Sequence, residues 1–163
     1  MEIRMMKNED RLVIMEIYNE AILNTTDVYD YEPLNQIQMD KWFQEKGINN
    51  RPVLVAEVDG QSVGFATYGT FRLKKANQFS VEHSVYLKKE YRGRGFGKEL
   101  LIQLMSHANK DNIHAMFGCI DAGNTISLDL HLKMGFEQVG YLKECGYKFD
   151  RWLDLVIVEF IFK

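Results

Sequence analysis

The chain has 163 residues, 46% hydrophobic and 26% charged, a balance that fits one globular domain with a real core. Its formal net charge of -3 gives no global attraction to nucleic acid, and no apolar run reaches the length of a membrane helix. The opening MEIRMMKNED is too polar for a signal peptide and two cysteines, Cys119 and Cys145, cannot build a disulfide framework, so a soluble protein of the reducing cytoplasm is expected.

A short strand is expected from Glu2 to Met5, followed by Asn8 and Asp10 as caps for a helix in which Ile14, Ile17, Tyr18, Ala21 and Ile22 recur at helical spacing. A second helix carries Met39, Trp42 and Phe43, with Gly47 as its stop. The run VLVAEVDGQSVGFATYGTF then reads as a hairpin, because Asp59-Gly60 is a strong two-residue turn signal between strands. A strand from Phe79 to Leu87 leads through a glycine-rich loop into a helix with Leu100, Leu101, Leu104, Met105 and Ala108 on one face. Next come a strand from His114 to Ile120, a helix from near Asn124 to a stop at Gly135, and two last strands, Glu137 to Leu142 and Leu153 to Phe162. A hairpin first and a strand-helix-strand unit later predict an α/β (α+β) architecture, a mixed sheet with helices on both faces. No repeat or linker interrupts the chain, so residues 1–163 are expected to form a single domain.

The loop EYRGRGFGKELL, residues 90–101, carries the chemistry. Gly93, Gly95 and Gly97 let backbone approach a ligand closely, and the helix that follows offers unpaired N–H groups and about half a positive charge at its first turn. Lys88, Lys89, Arg92, Arg94 and Lys98 add local positive charge against Glu90 alone, as at an anion site. A Walker A loop is excluded, since Arg92 stands at its first glycine and Glu99 where a hydroxyl would hold magnesium. The dinucleotide fingerprint fails too, with Lys98 in place of its third glycine. Two readings stay open from the loop itself, a metal-free pyrophosphate cradle and a glycine-rich surface turn with solvated arginines.

Element order and motifs together resemble a Gcn5-related N-acetyltransferase. Its acetyl-CoA motif, Gln or Arg, two residues, Gly, one residue, Gly or Ala, reads as Arg92, Gly95 and Gly97. Its second signature, an asparagine opening a helix that ends in Gly-Phe, reads NTISLDLHLKMGF from Asn124 to Phe136. The runs SVEHSVYL, IDAGNTISLDLHLKMGF and GYKFDRWLDL are similar to the phosphinothricin and methionine sulfoximine acetyltransferase branch. The resemblance implies a mostly antiparallel sheet of about seven strands with about four helices. It also implies acetyl-CoA as co-substrate with no metal, a small-molecule amine as acceptor and a homodimer. Acetylation would fall on the α-amine of an amino acid or analogue, by direct attack in a ternary complex. An α-amine near pKa 7.7 is neutral in about one molecule in six at pH 7, so it asks little of a base.

Roles follow from the resemblance. Glu82 is the expected base, directly or through water, with an edge carboxylate as the plain alternative. A bulged fourth strand would turn backbone N–H groups of Val85, Tyr86 and Leu87 toward the thioester. Arg92, Gly93, Arg94, Gly95, Phe96, Gly97 and Lys98 would cradle the pyrophosphate, joined by Asn124 and Ser127 on the later helix. His131 would protonate the leaving thiolate if a carboxylate or the thiolate supports its charge. His83 should point to the sheet face opposite Glu82, as a structural or supporting group. Arg72 could pair with an acidic substrate group, and Tyr29 and Tyr31 could wall the amine pocket, although VYDYE stands where relatives often carry TFE. Tyr147, Lys148, Arg151 and Trp152 suggest a dimer contact or pocket wall more than a nucleic-acid surface. Two other functions fit the same fold: acetylation of protein or peptide N-termini, and a non-catalytic acyl-CoA sensor.

Overall fold

A computed structural model describes residues 1–163. Eleven elements follow in order: β1 (Glu2–Met5), α1 (Arg11–Asn24), α2 (Gln36–Ile48), β2 (Val53–Val58), β3 (Gln61–Thr70), β4 (Ser80–Leu87), α3 (Phe96–Lys110), β5 (Ala115–Asp121), α4 (Thr125–Lys133), β6 (Glu137–Lys148) and β7 (Arg151–Ile161). The seven strands form one sheet in the order β1-β2-β3-β4-β5-β7-β6. Only β4 and β5 run parallel, joined by the α3 crossover, and every other neighbouring pair is antiparallel.

Both faces of the sheet are covered, which is why VLVA in β2 is apolar without alternation and wholly buried. Val53, Val55 and Phe65 pack against Ile14 and Ile17 of α1 and Met39 and Phe43 of α2. Leu54, Ala56, Ala66 and Val81 turn the other way, onto Leu100, Leu101, Leu104 and Ala108 of α3. The β2–β3 turn is Asp59-Gly60, both with positive φ (51° and 75°), the primed hairpin geometry that the sequence signalled.

The end of α2 and the last hairpin differ from expectation. Helix α2 runs through Gly47 to Ile48, and the left-handed residue beyond it is Asn50 (φ 50°), a residue that tolerates that conformation. The last two strands are longer than their patterns suggested. β6 absorbs extra residues at register shifts between Gln138 and Gly140 and between Leu142 and Gly146, and it turns into β7 at Phe149-Asp150, both at positive φ. A Phe-Asp turn carries no glycine or asparagine to announce it.

A buried side chain of this hairpin ties it to the end of α1. Lys148 is buried and its ammonium donates to three carbonyls, those of Ile22, Thr25 (2.8 Å) and Val28 (2.6 Å). Those acceptors lie at the end of α1 and in the connection after it, where a cation also meets the negative end of the helix. Lys148→Met should leave them buried without a donor and cost roughly 2–3 kcal/mol, read as a lower urea midpoint at unchanged slope. An unchanged midpoint would show that the three contacts carry no stability.

Candidate active site

The two parallel strands stay together only briefly. Ser80, Val81 and Glu82 of β4 face Ala115, Met116 and Phe117 of β5, and beyond that pair the strands diverge. The gap is lined by Glu82, His83, Ser84, Val85 and Tyr86 from β4 and by Gly118, Cys119, Ile120 and Asp121 from β5. Asn124, Ser127 and His131 close it from α4, and Asp27 closes it from the α1–α2 connection. Ligands of open α/β sheets commonly sit at such carboxyl ends.

Hydrogen-bond alternation shows what the divergence exposes. Phe71 N–H donates to Ser80 O (3.3 Å) and Lys88 N–H to Val63 O (2.9 Å), with the β3–β4 register unbroken between them. Glu82, Ser84 and Tyr86 therefore turn their backbone groups to β3, and Val81, His83, Val85 and Leu87 turn theirs to the β5 side. Past Glu82 that side has no strand, so the N–H groups of Val85 and Leu87 turn to an open edge, with Val85 lining the gap. No bulge in β4 is needed, contrary to expectation, and Tyr86 does not share this role because its N–H belongs to β3.

Glu82 projects to the α1–α2 face. Burial raises its pKa, with the Cys119 thiol opposing that rise. The same neighbourhood pushes the thiol up to about 12, mainly by burial and then by the Glu82 charge. The carboxylate is thus more basic than in water, a property a general base needs.

Val81 and His83 project to the opposite face, toward α4. Here His131 is buried, with Nδ1 at 2.7 Å from Ser127 O and Nε2 at 2.8 Å from His83 Nε2. No carboxylate bonds it, so of the two supports the sequence left open the carboxylate is not met, and burial lowers its pKa. The companion ring takes the place of that partner. His83 Nδ1 in turn lies 2.7 Å from Phe117 O.

Beyond β4 the chain makes a short 3-10 turn and enters the glycine loop. Gly93 and Gly95 have positive φ (74° and 84°), and Gly95 opens α3, so the conformation itself requires glycine there. The first intrahelical N–H bond comes from Glu99 to Gly95 O, which leaves Phe96, Gly97 and Lys98 N–H groups directed outward. Arg94 lies over the Tyr91 ring at 5.2 Å, and the Lys98 side chain is exposed. Arg92 is different. Its guanidinium bonds Leu87 O (3.1 Å) through Nε and Glu20 (3.0 Å) through Nη2, a half-exposed contact that ties the loop to α1.

Asn124 caps α4 by accepting from Ser127 N–H (3.1 Å) and donates to Asp27 (2.8 Å). Arg72 sits exposed in the β3–β4 connection, outside the gap. Tyr29 bonds Asp121 (3.0 Å) and Asp154 O (3.2 Å), and exposed Tyr31 bonds Tyr147 O, so both tyrosines brace the α1–α2 connection. Sequence reasoning passed over Asp27, Cys119 and Asp121. Asp121 is buried and accepts from Thr26, Tyr29 and the Gly123 N–H. Its place at the end of a parallel strand was the available signal. No group of three or more His, Cys, Asp or Glu side chains comes together as a metal site.

Comparison with known proteins places these features. The acetyltransferase (GNAT) domain family matches residues 3–157. The L-methionine sulfoximine/L-methionine sulfone acetyltransferase of Pseudomonas aeruginosa is 37% identical over 147 residues, 90% of this chain and 86% of that protein. A phosphinothricin acetyltransferase from Sinorhizobium meliloti, solved in complex with acetyl-CoA, superposes with a TM-score of 0.95 at 34% identity, over 98% of this chain and 87% of that one. A ribosomal-protein-alanine N-acetyltransferase from Brucella melitensis superposes with a TM-score of 0.97 at 38% identity, covering 99% of this chain and 100% of that one.

The raised pKa of Glu82 has a measurable sign. A carboxyl whose folded pKa exceeds its unfolded value opposes folding once pH rises through the folded pKa, and is neutral in both states below the unfolded one. Glu82→Gln should therefore raise the thermal midpoint by a degree or a few at pH 7–8, with the gain shrinking as pH falls through the raised folded pKa and gone below about pH 4. A lower midpoint at neutral pH would contradict the burial argument.

Proposed function

The chain belongs to the GNAT acetyltransferase family and is an acetyl-CoA-dependent N-acetyltransferase; from that premise we propose its acceptor and mechanism. Residues 1–163 form one N-acetyltransferase domain that acetylates the α-amine of an amino acid or amino-acid analogue of the methionine sulfone, methionine sulfoximine or phosphinothricin kind. The observation that carries this reading is the gap between β4 and β5, which brings a half-buried carboxylate and free backbone donors together beside an anion cradle.

Acetyl-CoA fits that arrangement. Its pyrophosphate would meet the Gly93 to Lys98 backbone at the start of α3, and its pantetheine amides would pair with the open edge of β4. The thioester oxygen would then lie against the Val85 or Leu87 N–H, a donor fixed before charge develops. Asp27, Glu82 and Asp121 give the gap an acidic lining that draws in an ammonium group, and Glu82 removes its proton before attack. The neutral amine attacks the thioester directly in a ternary complex, and His131 is the proton source for the departing sulfur. Asn124 and Ser127 hold the α4 wall of the acyl site.

Tyr29 and Tyr31 hold the loop that walls the amine side. Arg72 follows Phe71, whose ring stacks on Phe117 at 4.1 Å, and pairs with the acidic group of the substrate from that rim. A homodimer is part of the reading, supported by exposed Val139, Tyr141, Leu142, Tyr147 and Trp152 along β6 and β7. A cytoplasmic setting is supported by two unpaired cysteines, and the reading includes no nucleic-acid or membrane partner. A second acceptor class, protein N-termini, is favoured by the likeness to the Brucella enzyme.

Thiol release from acetyl-CoA separates the two. Methionine sulfone, methionine sulfoximine and phosphinothricin should be turned over with kcat/KM at least tenfold above that of alanine-led peptides. Turnover of peptides alone, or none with any amine, would overturn the acceptor assignment.

A further inference from the structure

The contacts of His83 and His131 cannot all be made by two neutral rings. Each Nδ1 meets a carbonyl, Phe117 O and Ser127 O, both at 2.7 Å, and a carbonyl only accepts. Both Nδ1 atoms must therefore carry hydrogen. The facing Nε2 atoms lie 2.8 Å apart, and that contact needs one more hydrogen between them. Two neutral imidazoles hold two protons, which would leave one of the three contacts as lone pair against lone pair. We propose that His83 and His131 are a single proton-sharing pair, holding three protons on four ring nitrogens, with His83 as the positioning residue for His131.

The surroundings suit one diffuse positive charge. The Phe136 ring lies against both imidazoles, with centroids 5.5 Å from His83 and 5.1 Å from His131. The gap's titratable side chains are Glu82 and Tyr86 on β4, Cys119 and Asp121 on β5, and Asp27; the pair's hydrogen bonds reach none of them. On α4 itself Asp129 and Lys133 are exposed, and β7 contributes Val158 beside Gly118 and His83. Burial works against the charge and pushes both rings toward neutrality, so the third proton is held by hydrogen bonds and is ready to leave.

Its outlet is His131 Nδ1, because Ser127 Oγ lies 3.5 Å away and lines the gap. This step rests on the acetyltransferase reading. The amine nitrogen bonds the acyl carbon, the C–S bond breaks with its electron pair on sulfur, and the proton the amine then loses goes to Glu82, which has already released the ammonium's first proton to solvent. The Nδ1 proton passes through the Ser127 hydroxyl to sulfur, and the shared proton settles on His131 Nε2. Two neutral rings remain, with Nε2–H of His131 donating to His83 and the Ser127 hydroxyl free to donate to the bare Nδ1. Solvent then restores the third proton.

Histidine-selective 15N NMR of the ligand-free protein counts these protons. Three protonated nitrogens among the pair's four are expected at pH 6 and two at pH 9, lost in one step that both rings report. Two at pH 6, or independent titration of the rings, would overturn the pair. This count needs no substrate, so it stands apart from failure of the acceptor assignment. His83→Gln, which can donate to His131 but cannot hold a shared proton, should lower kcat at least tenfold with the KM for acetyl-CoA within about twofold. It should also move the basic limb of kcat to lower pH, since a lone buried imidazole loses its proton earlier. A lower rate with an unmoved limb, or a change in KM alone, would make His83 a space-filling residue.

Discussion

The separation of β4 from β5 after three paired residues is the constraint on which the site depends. Strand β4 is paired with β3 through Leu87, yet on its other edge only three of its eight residues pair with β5. The N–H groups of Val85 and Leu87 stand open there, and a buried N–H without a partner costs about 1–3 kcal/mol. On an open edge, they are instead available to solvent or to an extended ligand. The same divergence lets Glu82 and His131, on opposite faces of the sheet, reach one volume. Helix α3 begins just beyond the end of β4, so its free N–H groups and the open strand edge are consecutive parts of one surface.

Around this gap the chain holds polar groups at some expense of stability and braces them from a distance. Glu82 is kept half-buried beside a thiol that burial keeps protonated. Asp27 and Asp121 keep their positions through donors from Asn124, Thr26, Tyr29 and the Gly123 N–H. The connection that supplies Asp27 and Tyr29 is anchored by Lys148 from the hairpin at the other end of the chain. A preorganised acyl site of this kind asks for rigid support because a donor misplaced by an ångström loses most of its value.

What could be read from the sequence was mainly local. Asp59-Gly60, the glycine loop before α3 and the Asn124 cap each act within a few residues, so type and spacing were enough to place them. Alternation along β4 correctly put His83 and Glu82 on opposite faces. Features that depend on partners far along the chain were not legible. The contact of Arg92 with Glu20, on α1, was one of these. The histidine pairing joins residues on β4 and α4, and the Lys148 carbonyl contacts join β6 to the end of α1. Strand β6 was underestimated because its register shifts hide the alternation that marks a regular strand.

The claim that an open β4 edge receives acetyl-CoA is tested most directly by residue-level amide hydrogen exchange, with and without saturating acetyl-CoA. In the free protein Val85 and Leu87 should exchange fast while Ser84 and Tyr86, bonded to β3, are protected. Acetyl-CoA should then slow Val85 and Leu87 about tenfold or more and leave the other two unchanged. Protection of all four residues in the free protein, or no effect of acetyl-CoA on Val85 and Leu87, would contradict the account.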